Sequence, residues 1–333
     1  RNHSSAASDV YKRQERDVVT FTGSADTGRL LRAHPRIQAH AVPFNMEADS
    51  LNSAILGQDA VPGTPEFDLF VKEVRKEMTV KCGQKCTAVR RIFVPEGLMD
   101  QVQEALTAQL AKTTIGDPQV EGVRMGALVG NAQCLDVLKQ VEAIEAEAEC
   151  VFGQEKSISP LGDDVTNGAF LPPMLMRHDR PHDARAVHDV EAFGPVSTLM
   201  PYKELEEAVA LAARGKGSLC CSITTFDREA GATFVREAAP MHGRILVLDR
   251  ECAKESTGHG SPMPMLVHGG PGRAGGGEEM GGLRGIKHYM QRTAIQGHPT
   301  TLTAITQQHQ PGSARLESEV HLFRKHFEAL NVG

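Results

Sequence analysis

Two cysteines, Cys82 and Cys86, stand in the stretch VKCGQKCTAVRR with Gly-Gln-Lys between them. Such a pair could be half of a metal site, a disulfide, or one working thiol beside a cysteine that only packs. The spacing is C-x3-C rather than the C-x2-C of a zinc knuckle, and no second pair with ligand spacing follows, which counts against a metal. The chain has 7 cysteines, an odd number, scattered through a length that needs no staples, which counts against a disulfide. Cys82 ends an apolar-periodic stretch, where a small apolar side chain is expected to pack. Cys86 differs, because Gly83 frees the backbone before it and Lys81, Lys85, Arg90 and Arg91 surround it. Nearby positive charge lowers a thiol pKa, and the thiolate is the nucleophile. The expectation is a packing Cys82 and a candidate nucleophile at Cys86.

Three further stretches carry chemistry. In FNMEAD, Glu47 ends an apolar run, where a carboxylate is either solvated or held in a partly dry pocket with the raised pKa a general base needs. In FTGSADTG, Gly23 and Gly28 flank a turn between an apolar strand and a helix. Backbone N–H groups at a helix N-terminus suit a diphosphate, and the Ser24 hydroxyl could add to them, although a plain strand-to-helix turn reads the same way. In EAFGPV, Glu191 and Phe193 share a face in extended geometry and could touch one ligand, or could simply form a turn before Gly-Pro. His178, His182 and His188 invite a metal reading, but Pro181 breaks helical spacing and the Arg and Asp around them describe a solvated loop. No metal site is expected.

These residues need elements to hold them. Residues 17–23 read as a strand running into the glycine turn, with a helix after it, and residues 39–47 as a second strand. Phe67, Phe70, Val71, Val74 and Met78 recur at helical spacing, so a helix over 66–82 delivers the chain to the cysteines. RRIFVP is a strand, 98–112 and 132–147 are helices, and KELEEAVALAARG is another. LCCSITTF and GRILVLD are strands with a helix between them. Strands alternating with helices predict an α/β fold with a largely parallel sheet. HGGPGRAGGGEEMGG, from His268 to Gly282, is too rich in glycine for a core element and must pass close to other backbone. The chain has 333 residues, 40% hydrophobic and 23% charged, enough for a sizeable core. A net charge of −6 leaves no basic face for nucleic acid, no apolar run reaches a membrane span, and reduced cysteines fit a cytoplasmic compartment.

Taken in order, FTGSADTG, FNMEAD, CGQKC and EAFGPV, followed by the glycine-rich HGGPGRAGGGEEMGGLRGIKHYMQRTAI, resemble the aldehyde dehydrogenase superfamily from Asp17 to about Ile295. FNMEADSLN, AKESTGHGSP and LVHGGPGRAGGGEE resemble in particular its phenylacetate-degradation branch, in which the dehydrogenase is fused to a MaoC-like, hot-dog-fold enoyl-CoA hydratase. The resemblance implies that Cys86 attacks the aldehyde to give a thiohemiacetal. Loss of hydride to NAD or NADP, the closer match favouring NADP, would leave a thioester on Cys86 for hydrolysis to a carboxylate. It further implies Glu47 as general base, the Cys86 N–H as half of an oxyanion hole, Gly23, Ser24 and Gly28 beside the cofactor diphosphate, Glu191 on a ribose and Phe193 beside the nicotinamide. EADSL stands where the family commonly has ELGGK. The expected substrate is a CoA-linked semialdehyde from ring opening, with a general aldehyde dehydrogenase or a silent oligomerising scaffold as alternatives.

The same resemblance implies an aldehyde dehydrogenase fold, with a catalytic domain and the C-terminal remnant of a Rossmann-like cofactor domain. Residues 1–16 read as a non-native leader, 17–47 as the remnant of the cofactor domain and 48–286 as the catalytic domain. Residues 287–310 would be the oligomerisation strand and tail of a homo-oligomer, its strand at Arg292 to Ile295. Residues 311–333 would begin a linker to a hydratase domain, their stripe of Leu316, Val320, Phe323, Phe327 and Leu330 wanting a partner surface. A chain of this extent is expected to be inactive alone.

Overall fold

The computed structural model describes residues 18–155, 158–162, 168–263, 265–279 and 281–314. The leader and the 316–330 stripe lie outside them. The chain divides into two compact units, 1–285 and 286–333.

The first unit holds two sheets. Strand β1 (Val19–Thr22) pairs in parallel with β2 (Phe44–Glu47), with Thr22 opposite Glu47. Between them lie helices α1 (Ala25–Arg32) and α2 (Pro35–Ala39). The strand expected over 39–47 is therefore shorter. Pro35 suits the first turn of a helix, and Ala41 takes a left-handed φ of 48° that breaks an extended run. The large sheet has seven strands in the order β5 (Glu149–Phe152), β6 (Met174–Arg177), β7 (Val196–Tyr202), β4 (Val89–Pro95), β3 (Asn52–Leu56), β8 (Ser218–Thr224), β9 (His242–Leu248). Every pair is parallel except β5 with β6.

Side chains alternate across these strands, so both faces must be covered. Ile55 and Phe93 enter one buried cluster with Val137 and Val141 of α5 (Asn131–Glu145) and Leu211 of α6 (Leu205–Ala213). Their neighbours Ala54, Leu56, Ile92 and Val94 enter the other, with Phe70, Val74 and Met78 of α3 (Pro65–Thr79) and Leu106 of α4 (Met99–Leu110). Helix α3 begins where Thr64 accepts from the Phe67 N–H, with Pro65 in the first turn and Glu66 and Asp68 facing the helix dipole. Its apolar stripe is the one read from the sequence, and a fully buried side chain such as Phe70 contributes roughly 1.5–3 kcal/mol. The helix stops because Lys81 and Cys82 both take φ 53° and Gly83 φ 66°, a left-handed run that ends the helical hydrogen bonding.

In the second unit a helix, Pro299–Thr306, falls within the segment expected to hold the oligomerisation strand. His298 caps it by accepting from the Thr300 N–H. Arg292 to Ile295 forms no strand among the described residues.

Candidate active site

The chemistry-bearing residues meet where the small sheet presents its carboxyl ends and the large sheet its amino ends. Glu47 ends β2, and Gly23 follows β1, its N–H donating to the Glu47 carbonyl at 3.1 Å. Asn52 opens β3, Cys86 precedes β4, Glu191 and Phe193 precede β7, and Cys220 lies early in β8. Ligands of open parallel sheets commonly meet carboxyl ends; here only the small sheet offers them.

The left-handed turn explains Gly83. A Cβ there would sit 2.2 Å from the Gly194 carbonyl oxygen, so only glycine lets the cysteine turn touch the Glu191–Gly194 segment. Asn52, fully buried, then fixes Cys86. Its amide donates to the carbonyls of Cys86 (2.8 Å) and Ala88 (2.9 Å), and its oxygen accepts from the Ser50 hydroxyl (2.6 Å) and the Cys220 N–H (2.9 Å). Ser50 in turn donates its N–H to Glu191 at 3.0 Å. A continuous set of hydrogen bonds thus joins Glu191 to Cys86 through Ser50 and Asn52.

The glycine-rich segment does pass close to other backbone, and the backbone it meets carries Glu47. Gly277 donates to the Met46 carbonyl (3.0 Å) and Ala48 to the Ala274 carbonyl (2.9 Å). A Cβ on Gly275 or Gly277 would lie 2.4 Å from the Met46 oxygen, so a side chain at either would push the strand away. This segment also brings Glu279 to the site, which sequence reasoning missed. Burial raises its carboxyl, His268 opposes that at 3.2 Å, and Glu47 adds repulsion. Two adjacent glutamates in a glycine loop were the only available signal.

The structure corrects one expectation. The basic residues around Cys86 do not depress its pKa; burial, then the charge and hydrogen bond of Glu47, push the thiol up to about 12. Three of the four cations are committed elsewhere. Lys85 grips both carboxylate oxygens of buried Glu77 at 2.8 Å. Arg91 donates to the carbonyls of Leu51, Leu211 and Ala212 and to His188, and Arg90 to those of Gly83 and Gly194. Cys86 therefore rests protonated, with the Glu47 charge among the causes that keep it so. Cys82, 1% exposed, packs in the core, where burial holds its thiol at about 12.

At the glycine turn, Ser24 caps α1 by accepting from the Thr27 N–H. A Cβ on Gly28 would come 2.4 Å from the Met46 methyl, so this glycine lets α1 lie against β2. Asp49 already accepts from the Ala25 N–H at 2.9 Å, which leaves one fewer donor at that helix end for a diphosphate. Burial raises the Glu191 carboxyl to about 7 against the pull of Arg90. Phe193 borders an open cavity of about 610 Å³, lined also by Lys81, Cys82, Gln84, Val129 and Gln133. The three histidines part company: His182 meets Glu207 at 2.7 Å, His188 is buried against Arg91, and the His178 ring accepts from the Arg180 N–H.

A thiol beside a carboxylate, close to a glycine turn and an acidic–aromatic segment, suits oxidation of an aldehyde by a dinucleotide. The chain matches the aldehyde dehydrogenase family over residues 2–295 and belongs to it. Among its relatives, it is 48% identical over 257 residues to a 3,4-dehydroadipyl-CoA semialdehyde dehydrogenase of Aromatoleum evansii, covering 77% of this chain and 50% of that protein. It is 50% identical over 210 residues to Protein MaoC of Klebsiella aerogenes, covering 63% of this chain and 61% of that one. Among solved structures, a betaine aldehyde dehydrogenase of Staphylococcus aureus in complex with NAD+ superposes with TM-score 0.70 at 23% identity, over 82% of this chain and 50% of that one. An NAD-dependent aldehyde dehydrogenase of Sinorhizobium meliloti gives 0.68 at 27%, over 83% and 50%. The chain spans about half to three-fifths of the length of the relatives it matches. Among the described residues, no helix is long and apolar enough to cross a membrane.

Proposed function

We propose that the chain forms the thiol-bearing part of an NAD(P)-dependent aldehyde dehydrogenase that oxidises a CoA-linked semialdehyde to a carboxylate. The observation that carries this reading is the pairing of the Cys86 thiol with Glu47, on a turn held by Asn52. Glu47 takes the thiol proton as Cys86 attacks the aldehyde carbon, and the Cys86 N–H faces the developing oxyanion. Bound NAD(P) supplies the hydride acceptor. Once Glu47 has released that proton to solvent, it deprotonates the water that attacks the resulting Cys86 thioester, the C–S bond breaks, and Cys86 leaves as the thiolate.

The residues present fit such a cofactor in part. The cavity beside Phe193 has room for a flat ring, although Cys86, Glu47 and Glu191 are not among the residues that line it, and the Glu191 carboxylate, two residues before Phe193, could accept from ribose hydroxyls. At the other end, Gly23, Ser24 and Gly28 present a helix N-terminus in which Asp49 has taken one donor. The likeness to the Aromatoleum dehydrogenase supports the substrate class. A chain spanning half that relative, with a two-stranded sheet beneath the glycine turn among the described residues, should not turn over alone. The test compares a CoA-linked semialdehyde with simple aldehydes, using the enzyme at the length of its relatives. A higher kcat/KM for the CoA-linked substrate supports the reading; equal values point to a general aldehyde dehydrogenase.

A further inference from the structure

Arg90 is a cation where the site's chemistry asks for none. It is the second residue of β4, 4% exposed, and most of its donors go to main-chain carbonyls. Nη1 donates to Gly194 at 2.7 Å, and Nη2 to Gly83 at 2.8 Å and Lys85 at 3.3 Å. Its Nε lies 3.7 Å from a Glu191 carboxylate oxygen, and its guanidinium carbon lies 5.4 Å from the centre of the Phe193 ring. One planar fork therefore reaches both the turn that presents Cys86 and the segment that presents Glu191 and Phe193. A lysine ammonium, a single point of charge, cannot make these bonds together. The two segments already touch, because the Gly194 carbonyl fills the space a Gly83 side chain would need.

We propose that Arg90 is a positioning residue that stitches the Cys86 turn to the Glu191–Gly194 segment, so that the nucleophile and the cofactor-side carboxylate are placed by one side chain. This rests on the roles assigned to Cys86 and Glu191 above. The charged groups facing Arg90 are Glu191, Glu77 and the Cys86 thiol; those facing Glu191 are Arg90, Asp49 and Arg273, with the Ser50 N–H.

The test uses the 333-residue chain with Arg90→Gln and Arg90→Lys, read by hydrogen exchange and by the pH titration of 13C-carboxyl-labelled glutamate. The Glu191 signal is identified by its loss in Glu191→Gln. Expected is exchange faster by about tenfold or more in both 83–87 and 191–196, while 92–94 stay protected. The Glu191 midpoint should rise in Arg90→Gln and return towards that of the unmodified chain in Arg90→Lys. The lysine variant should nonetheless keep the loosened turns. If Arg90→Gln does not fold, the joint loosening in Arg90→Lys decides alone. Loosening of one segment only, of neither, or an unmoved midpoint would overturn the proposal. Formation of a thiohemiacetal on Cys86 by an added aldehyde in the unmodified chain tests the enzymatic reading separately, so either idea can fail while the other stands.

Discussion

Replacing Glu47 by Gln should make Cys86 easier to alkylate, although it removes the proposed base. Burial is the largest cause of the thiol's rise to about 12 from an ordinary value of 9.0, and Glu47 supplies the next two. At pH 8 a thiol at about 12 is roughly one part in 10⁴ thiolate, against roughly one in ten for an unperturbed one. Native Cys86 should therefore react with iodoacetamide about a thousandfold more slowly than an exposed thiol. Its rate should climb about tenfold per pH unit from 7 to 10 without a plateau. Removing one charge in contact lowers the thiol pKa by about one unit even if the site screens nearly as well as bulk water, so Glu47→Gln should raise the rate by about tenfold or more at each pH. The assay is site-resolved peptide mass spectrometry over a pH series, with buried Cys82 as the internal reference. A native plateau below pH 9, or slower alkylation in Glu47→Gln, would refute the reasoning, because either would mean that cations rather than Glu47 control the thiol.

Other consequences concern stability. Asn52→Ala strands the Cys86 and Ala88 carbonyls and the Cys220 N–H, and should cost about 2–4 kcal/mol in urea unfolding. Gly83→Ala meets both a φ of 66° and a carbonyl at 2.2 Å; a loss of about 2–4 kcal/mol, with a displaced Cys86 turn, is expected in the same assay. Burial holds His188 and His259 at about 3 and His242 at about 4. These histidines stay neutral when folded, whereas the unfolded chain takes up their protons below 6.5, so stability falls as pH drops from there towards 4. With all three titrating the slope approaches about 4 kcal/mol per pH unit, which urea midpoints between pH 7 and 5 would show. Arg250 holds the Glu66 carboxyl below its ordinary 4.5, so Glu66→Gln should destabilise at pH 7, with the deficit closing as pH falls below 4.5.

Much of this was legible in the sequence. The periodic apolar residues of α3 located that helix, the glycine turn located α1, and the four motifs named Cys86, Glu47, Glu191 and Phe193. Strand β3 escaped because Asn52 and Ser53 break an apolar run; they are buried, and Asn52 is tolerated there because it has hydrogen-bond partners on β8 and the cysteine turn, which no local pattern records. The basic stretch misled for a related reason. Arg90 and Arg91 are neighbours in sequence, yet on a strand they point to opposite faces; Arg91 is taken by carbonyls far away in the chain, and Arg90 by that of distant Gly194 as well as those of Gly83 and Lys85. Glu279 was hidden because only the fold brings a glycine loop across β2.

The central claim is that Cys86, and not Cys82, is the nucleophile for an aldehyde carbon. Adding a carbonyl-13C aldehyde to the chain and watching its NMR signal tests this without any cofactor. The account predicts a tetrahedral thiohemiacetal carbon that persists in Cys82→Ser and disappears in Cys86→Ser; a thiohemiacetal that survives in Cys86→Ser, or none in the native chain, would contradict it.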